Sequence, residues 1–501
     1  MGCLTDNRPK SLVSVDGRPI LYSITDAFGD ESEVIIIGDY KADALKLYLQ
    51  NFPPPFPFEL VQANGKGTCS GIQKAIDIIE GDQFVLVWSD LFFHEGIQTS
   101  DISENSIGLT GEIVCRYSYA DNRILEIPNV PPLQTGIMGI FFFPEPAKLP
   151  PVPNDGEFVK FLSTENVNMS PYVLQGVKEI GTIEEFRKQR DNSPNSRFFN
   201  ELKMENDRIV KKSRERKYDS LISDEINWYR FVRDKGFKNV PTLLSFDPLI
   251  MTRIVGSHPF ELPRDFTSGH KTRLKAVKDI LNSLNDLHRI DREPFNFDVA
   301  KDVYVNKTIA RVTAISKLIP YKEAADFTVN GIKVPNYLLP ENRFYIDDLF
   351  SVIKKRGQRR DFDLIHGDPT FSNIILESET GTPIFIDPRG YFGRIKIFGD
   401  PLYDYAKLYY SAVGNYDYFN RGKFCLKLNQ REIKIDTESE EFEFTEKVFD
   451  EELGASMGAV KAIHALIWLS LSGYVTNDYD AVLASFFHGL ELSTEVLEDY
   501  G

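Results

Sequence analysis

Short apolar runs alternate with amphipathic segments along the first third of the chain. The runs are Glu33–Ile37, Phe58–Gln62 and Phe84–Trp88, and the segments that separate them are Lys41–Asn51 and Ser70–Ile79. Strands that alternate with helices are typical of an α/β domain built on a mostly parallel sheet. The pattern therefore predicts such a domain over about residues 12–190.

The pattern changes after about residue 195. Arg208–Lys212 has the composition of a strand, and Leu221–Lys235 that of a helix. From about residue 270 to 498 helices dominate, as in Lys271–Leu287 and Gly454–Tyr474, where apolar residues recur at spacings of three and four. We therefore predict two domains, residues 1–192 and residues 193–501.

Composition narrows the class of protein. The chain has 501 residues, 42% of them apolar and 26% charged, which is typical of a folded protein with more than one core. The net charge of −16 argues against a nucleic-acid partner. The four cysteines form no C-x-x-C pair, and no apolar stretch approaches the roughly 20 residues that span a bilayer. We expect a cytoplasmic protein without membrane insertion.

The most informative residues stand between positions 364 and 388. His366, Asp368 and Asn373 fall in one short loop, and Asp387 ends a second apolar run. Phosphoryl transfer from a nucleotide needs a carboxylate near the attacking hydroxyl, and oxygen ligands that hold magnesium. The strand-like runs Asn373–Leu376 and Pro383–Ile386 would bring these groups to one edge. The pattern predicts a kinase.

The motif His366-Gly-Asp368-x4-Asn373, with Ile386-Asp387 downstream, resembles the aminoglycoside phosphotransferase and choline kinase family. The resemblance covers roughly residues 195–500 and implies an α+β, bilobal, protein-kinase-like fold. Its N-lobe would span about 193–260 and its C-lobe about 261–501. It also implies that Asp368 is the general base, that Asn373 and Asp387 hold Mg²⁺, and that His366 is structural in the loop.

The same resemblance implies an ATP site in the preceding zone. Lys211 or Lys212 ends a short strand, where the family has the lysine that pairs with ATP phosphates, and Glu225 would orient that lysine. Met251 belongs to the run that would meet the adenine. Two departures stand out: residues 195–200 replace a Gly-rich loop, and Asp387-Pro-Arg-Gly390 differs from the choline kinase motif. Because protein-kinase motifs are absent, we expect a small alcohol as acceptor.

The start of the chain carries a second resemblance. Leu4–Leu21 contains an R-P-K followed by V-x-G-x-P-I, which is similar to sugar-phosphate and phosphocholine nucleotidyltransferases. The resemblance implies that Arg8 and Lys10 contact phosphates. It also implies that Gly67 and Thr68, in the turn 64–71, contact the nucleotide.

The same resemblance implies two carboxylate metal ligands for this second site. Asp90 stands where these enzymes carry a metal ligand at a strand end, and Glu179 would replace the second metal carboxylate. The family begins with a buried strand and a loop of the form G-x-G-[ST]-R, which the printed sequence does not have before Gly2. We therefore expect the first strand of the sheet to be missing, and either a truncated chain or a domain without transfer activity.

Together the resemblances predict an ATP-dependent kinase coupled to a nucleotidyltransferase that uses CTP, for surface polysaccharide or lipid head-group biosynthesis. Choline or a related amino alcohol is the first acceptor considered and a polyol or sugar the second. An aromatic cage for a quaternary ammonium would come from the following residues: Tyr391, Tyr403, Tyr405, Tyr409 and Trp468. The alternatives are a monofunctional kinase with a non-catalytic N-terminal scaffold, and a non-catalytic binding protein. Oligomeric state is left open.

Overall fold

The computed structural model divides the chain into two compact units. The N-terminal unit comprises Met1–Ser193 and Thr476–Asp480, and the C-terminal unit comprises Pro194–Val475 and Ala481–Gly501. The structure describes all residues except 1, 30–31, 82, 94, 100–101, 127–134, 146–148, 193–199, 215, 217–218, 265–267, 343–344 and 358–360. The border expected between residues 192 and 193 adjoins one of these gaps and stays a prediction.

The N-terminal unit contains short strands and five α-helices in its described part. The helices are α1 (Ile20–Phe28), α2 (Ala42–Asn51), α3 (Ile72–Ile76), α4 (Phe158–Thr164) and α5 (Ile183–Asn192). The strands are β1 (Ser14–Val15), β2 (Arg18–Pro19), β3 (Val34–Gly38), β4 (Phe58–Gln62), β5 (Phe84–Val87), β6 (Leu91–Phe93), β7 (Ser106–Thr110), β8 (Tyr117–Ala120), β9 (Arg123–Glu126), β10 (Gly136–Phe143), β11 (Ser170–Val173) and β12 (Val177–Glu179).

The main sheet of this unit corrects the expected strand direction. It runs β11-β7-β10-β8-β9, with β5 also paired to β10, and four of its five pairings are antiparallel. β3 and β4 form a separate parallel pair. The expectation of a mostly parallel sheet is therefore wrong for the described residues. The strand at the centre, β10, is buried along its whole length, and a continuous apolar run is compatible with either direction of its neighbours.

The C-terminal unit begins with a small sheet and continues with helices. Its strands are β13 (Asn200–Met204), β14 (Arg208–Ser213), β15 (Leu243–Phe246), β16 (Leu249–Thr252), β17 (Gly256–Ser257), β18 (Arg292–Pro294), β19 (Asp326–Val329), β20 (Ile332–Pro335), β21 (Asp361–Leu364), β22 (Ile374–Glu377), β23 (Pro383–Phe385), β24 (Tyr391–Phe392), β25 (Ile395–Lys396), β26 (Phe398–Gly399), β27 (Phe424–Asn429) and β28 (Glu432–Thr437). Its helices are α6 (Asp219–Asp234), α7 (Ser268–His288), α8 (Phe297–Lys301), α9 (Lys307–Ile315), α10 (Tyr345–Arg356), α11 (Pro401–Ala412), α12 (Tyr416–Asn420), α13 (Glu446–Leu453), α14 (Met457–Ser472) and α15 (Tyr479–Tyr500).

The first part of this unit has the sheet and helix that are expected for the N-lobe. β13, β14, β16 and β15 form an antiparallel sheet in that order, and α6 follows β14 in the chain. The residues from about 257 onward are mainly helical, and α11 and α14 are almost completely buried. This succession of an antiparallel sheet and a helical region agrees with the expected bilobal α+β architecture.

One helical run among the described residues, 443–472, is long and apolar enough by length and composition to cross a membrane. In its most apolar window 67% of the residues are buried inside the protein, as in the core helix of a globular unit. The run is interrupted, because α13 ends at Leu453 and α14 begins at Met457. A cytoplasmic location stays a prediction.

Candidate active site

The loop between β21 and β22 is held in place through its backbone. The carboxylate of Asp404, on α11, accepts hydrogen bonds from the backbone N–H of His366 at 2.8 Å and of Gly367 at 2.7 Å. Asp404 is fully buried and also lies 3.1 Å from Nε2 of His288. Gly367 has a φ of +81°, a conformation that glycine adopts without strain. Asp404 thus holds the backbone of the loop in place.

His366 connects this loop to the strand that precedes Asp387. Its Nε2–H donates to the carbonyl of Ile386 at 3.0 Å, while Nδ1 accepts the backbone N–H of Asp368 at 3.3 Å. Burial lowers the pKa of His366, although nearby carboxylates act in the opposite direction. A neutral ring with one donor and one acceptor fits both hydrogen bonds. This placement suits the structural role expected for His366.

Asp368, Asn373 and Asp387 come together at one edge of the lobe. The side-chain amide of Asn373 donates to the carbonyl oxygen of Asp368 at 2.8 Å and to its carboxylate at 3.3 Å. The backbone carbonyl of Asn373 accepts from the N–H of Ile386 at 2.9 Å, because β22 and β23 pair antiparallel there. Asp387 follows directly, with a left-handed φ of +56°.

Lys211 joins the N-lobe to this edge. Its ammonium nitrogen lies 2.7 Å from a carboxylate oxygen of Glu225 and 2.7 Å from one of Asp387. Burial by itself lowers the pKa of Lys211, but the two carboxylates outweigh it and the pKa is raised, so the lysine carries its charge. Lys212, the neighbour on β14, is exposed, as expected for alternate residues of a strand.

Met251 lies on β16, opposite Ile209 of β14, and is buried. The chain leaves β16 after Thr252 and reaches β17 at Gly256. Met251 therefore stands two residues before the connection between the lobes. Residues 195–199, where a Gly-rich loop would have been expected, lie outside the described residues.

The donor set at this edge fits a magnesium ion. Asn373 offers an amide oxygen and Asp387 a carboxylate, and the Asn373 amide nitrogen is already occupied by Asp368. Mg²⁺ is usually bound by one or two such oxygens together with the phosphates of a nucleotide. Among the described residues no cluster of three or more His, Cys, Asp or Glu side chains is arranged to hold a metal without such help.

Sequence reasoning missed two cations, Lys407 and Arg389, whose charges interact with Asp368. Lys407 on α11 is nearly buried, and its ammonium lies 3.0 Å from the Asp368 carboxylate. Arg389, two residues after Asp387, donates to the hydroxyl of Tyr403 at 3.0 Å. The sequence motif Asp387-Pro-Arg-Gly390 pointed to Arg389, whereas no motif pointed to Lys407 in the mostly apolar helix α11.

The five aromatic residues considered for a cage do not form one group. Tyr391 and Tyr403 flank the guanidinium of Arg389, with ring centroids 5.9 and 5.6 Å from its central carbon. Tyr405 bonds the side chain of Asn285, and the Tyr409 hydroxyl donates to Glu446. Trp468 packs against Tyr410 and Phe419. The Tyr391 and Tyr403 rings thus already have a cation of the chain beside them.

In the N-terminal unit, three of the expected residues converge. The ammonium of Lys10 lies 2.9 Å from the carboxylate of Asp90. β12 pairs with β6 so that Glu179 is opposite Leu91, next to Asp90. Burial raises the pKa of Glu179, the Asp90 charge raises it further, and Lys10 acts in the opposite direction. Two carboxylates and a lysine therefore share one small region.

The other three expected residues of this unit are engaged elsewhere. Arg8 is 2% exposed and forms ion pairs with Asp478 and, at 3.6 Å, with Asp480, so its charge is directed to carboxylates of the chain. The hydroxyl oxygen of Thr68 accepts the N–H of Phe158 at 2.8 Å. Gly67 has a φ of +84° and a Cβ there would lie 2.4 Å from the carbonyl of Gly156. The turn 64–71 therefore packs against, and is hydrogen-bonded to, the segment at the start of α4.

Comparison with known proteins defines the class of the C-terminal part. Residues 183–421 match the family described as APH, phosphotransferase enzyme family. The C-terminal part of the chain therefore carries a domain of the phosphotransferase enzyme family. The resemblance expected for this part is confirmed, and so is the enzyme class, a phosphotransferase.

The N-terminal side has a weaker match. The chain is 30% identical over 96 residues to "Bifunctional protein GlmU" of Methanocaldococcus jannaschii, which is 19% of this chain and 23% of that protein. The chain spans about a quarter of the length of this curated relative.

The solved structures that are similar to parts of the chain include the following two. HddC from Yersinia pseudotuberculosis is 22% identical, with 36% of this chain and 89% of that chain covered and a TM-score of 0.30. The GDP complex of aminoglycoside 2'-phosphotransferase-IIIa is 14% identical, with 61% and 91% covered and a TM-score of 0.36.

Proposed function

We propose that the C-terminal unit is an ATP-dependent kinase that phosphorylates a hydroxyl group of a small alcohol. The observation that carries the proposal is the convergence of Lys211, Glu225, Asp387, Asn373 and Asp368 on one edge between the two lobes. Each has the chemistry that phosphoryl transfer needs at its position. A family match over residues 183–421 supports the same class of reaction.

The roles of these residues follow from their contacts. Asp368 accepts the proton of the acceptor hydroxyl. The hydroxyl oxygen of the acceptor bonds to the γ-phosphorus of ATP, while the bond between that phosphorus and the leaving ADP breaks. Lys211, held by Glu225, binds phosphate oxygens of ATP, and Met251 lies beside the adenine. Asn373 and Asp387 would hold Mg²⁺, which supplies charge neutralisation when bound. His366 and Asp404 keep the loop in register through their hydrogen bonds.

The test of this proposal is a comparison of two aspartate variants. Asp368→Asn removes the proton acceptor while retaining shape, and we expect ADP release with a panel of small alcohols to fall about 10²–10⁴-fold. Asp361→Asn is the matched control, because Asp361 lies on β21, which leads into the same loop, and is only half-buried. An Asp368→Asn enzyme that works at the wild-type rate refutes the assignment.

For the N-terminal unit we infer transfer of a nucleotide, with CTP as the donor, to the phosphorylated product. The phosphate oxygen of that product would attack the α-phosphorus of CTP, and pyrophosphate would leave. Lys10, Asp90 and Glu179 support this proposal because a cation and two carboxylates suit a triphosphate with Mg²⁺. The product would be an activated group for surface polysaccharide or lipid assembly in the cytoplasm.

A non-catalytic scaffold is the second candidate for this unit. The observation that favours it is Arg8, whose guanidinium is buried against two carboxylates. Release of pyrophosphate from CTP in the presence of the kinase product decides between the two. Asp90→Asn should abolish that release and leave ATP-dependent phosphorylation unchanged; a wild-type protein that releases no pyrophosphate from any nucleoside triphosphate supports the scaffold.

A further inference from the structure

Four cations lie around Tyr403 in the C-lobe, near the proposed base. Arg389 bonds the Tyr403 hydroxyl at 3.0 Å, and the ammonium of Lys307 lies 5.9 Å from the Tyr403 ring centroid. Lys407 pairs with Asp368 at 3.0 Å. Arg311, one turn after Lys307 on α9, interacts electrostatically with Lys307, Arg389 and Tyr403. We call these four side chains, without Tyr403, the cationic cluster.

The cluster has too few counter-charges. Throughout the part of the chain that the structure describes, no carboxylate lies within ion-pair distance of Lys307, Arg311 or Arg389. Asp368 pairs with Lys407, and its charge also acts on Arg389. Partly buried cations without a carboxylate partner are costly, and the effect of this charge is seen in the pKa values of two groups. Burial and the neighbouring cations lower the pKa of Lys307 to about 8. Burial and the Asp368 charge raise the pKa of Tyr403, but Arg389, Lys307 and Lys407 outweigh them and lower this pKa to about 7.

This excess of positive charge disfavours a cationic acceptor. The aromatic rings that would receive a quaternary ammonium already face Arg389 and Lys307. A second cation placed there would meet like charges in a partly desolvated site. An anion in the same place would compensate them and form charge-assisted hydrogen bonds, which are about twice as strong as neutral ones.

The outer part of the cluster is separate from the proposed ATP-binding groups. Lys307 and Arg311 both lie on α9, and neither forms a hydrogen bond or ion pair with Lys211, Glu225 or Asp387 in the described residues. Arg311 donates to the hydroxyl and carbonyl of Ser470 at 3.0 and 3.2 Å, which fixes its position. These two residues are therefore suited to the acceptor rather than to the nucleotide.

We propose that the acceptor is an alcohol with an anionic group, a carboxylate or a phosphate, which Lys307, Arg311 and Arg389 bind while its hydroxyl group faces Asp368. This inference rests on the proposed kinase function and specifies the substrate class of that same site. It replaces choline and uncharged polyols with hydroxy acids and sugar phosphates as the acceptors to examine first.

The first test measures protection of Lys307 and does not depend on turnover. The full chain, saturated with ADP and Mg²⁺, is treated with formaldehyde and a reductant at pH 7.5, and dimethylation of Lys307 is followed by peptide mass spectrometry. Inorganic phosphate, glycerate and glycerol 3-phosphate should each slow labelling at least about fivefold, as expected for a direct charge-assisted contact. Glycerol and choline should not slow it. Equal protection by choline, or no protection by any anion, overturns the inference.

The second test separates the acceptor from ATP by kinetics. We expect Lys307→Gln and Arg311→Gln to raise KM for an anionic acceptor about tenfold or more, as for loss of a charged hydrogen bond. KM for ATP should change less than about twofold, because neither residue contacts the ATP-binding lysine. Lys317→Gln is the matched control, since Lys317 is exposed just beyond the end of α9. Pairs of glycerate with glycerol 3-phosphate, and of glucuronate with glucose 6-phosphate, distinguish carboxylate from phosphate.

The two proposals fail in different ways. If choline or glycerol is phosphorylated with a kcat/KM equal to or above that of the anionic alcohols, the inference is overturned and the kinase stands. If anions protect Lys307 but the wild-type protein phosphorylates no alcohol of any charge, the anionic site stands and the proposed kinase function fails. A rise in KM for ATP that matches the rise for the acceptor overturns the inference, because the cluster would then belong to the nucleotide.

Discussion

Replacement of Lys211 by methionine tests how the two lobes are joined at the candidate site. Lys211 is 2% exposed and holds Glu225 and Asp387 at 2.7 Å each. Methionine keeps most of the length and the apolar stem but removes the charge. The buried carboxylate of Glu225 then loses its cation, and the ATP phosphates lose a binding partner.

The expected loss in the free energy of unfolding follows from how far Glu225 and Asp387 are buried. Removal of one member of a buried ion pair costs about 3–5 kcal/mol. The Asp387 side chain is 28% exposed, so water compensates part of its loss and we expect the lower end, about 3 kcal/mol. Lys212→Met, the adjacent and exposed control, should change stability by less than about 0.5 kcal/mol. The double variant Lys211→Met/Glu225→Gln should recover most of the loss, because no buried charge remains unpaired.

The assay is urea unfolding of the full chain, followed by tryptophan fluorescence; one of the three tryptophans, Trp228, lies in α6 close to Glu225. A loss of 3 kcal/mol corresponds to a midpoint lower by about 1–3 M urea. ATP binding is measured in parallel by calorimetry and should weaken in both Lys211 variants. The reasoning is refuted if Lys212→Met is as destabilising as Lys211→Met, or if Glu225→Gln fails to restore any stability.

Three further predictions concern other parts of the chain. Asp404→Ala leaves two buried backbone N–H groups without their acceptor, and thermal unfolding should show a loss of about 2–4 kcal/mol together with a lower kcat. Gly67→Ala meets both a positive φ and a carbonyl 2.4 Å from its Cβ, so calorimetry should show a destabilised N-terminal unit, by about 1–3 kcal/mol, while the kinase rate is unaffected. Lys307 loses positive charge and Tyr403 gains negative charge between about pH 7 and 9, so KM for an anionic acceptor should rise over that range. The rise should be smaller in Lys307→Arg, and a flat profile in the wild type would contradict the assignment.

The loop of the candidate site could be predicted because its chemistry is local. Asp368 and Asn373 are five residues apart, and the two apolar runs predicted to follow Asp368 are strands in the structure, β22 and β23. The helix expected at Leu221–Lys235 is α6, at Asp219–Asp234, so Glu225 is placed on the element from which it reaches Lys211. Sequence patterns of a few residues are therefore sufficient to predict the site loop and the helix that carries Glu225.

The remaining features depend on contacts between distant residues. The strands around β10 differ in direction from the prediction because a strand buried on both faces is a continuous apolar run whether its neighbours are parallel or antiparallel. The ion pair of Arg8 joins residues 470 positions apart. The cationic cluster takes its members from α9, from the Asp387 segment and from α11, and no spacing in the sequence relates them.

The most direct test of the central claim is detection of the transferred phosphoryl group. The full chain is incubated with Mg²⁺, with ATP whose γ-phosphate carries oxygen-18, and with equal amounts of glycerate, glycerol and choline. The products are identified by mass spectrometry. We predict a labelled phosphomonoester of glycerate in the wild type and its loss in Asp368→Asn, with Asp361→Asn unaffected. A labelled product that forms equally well in Asp368→Asn, or label that is found only in inorganic phosphate, would contradict the account.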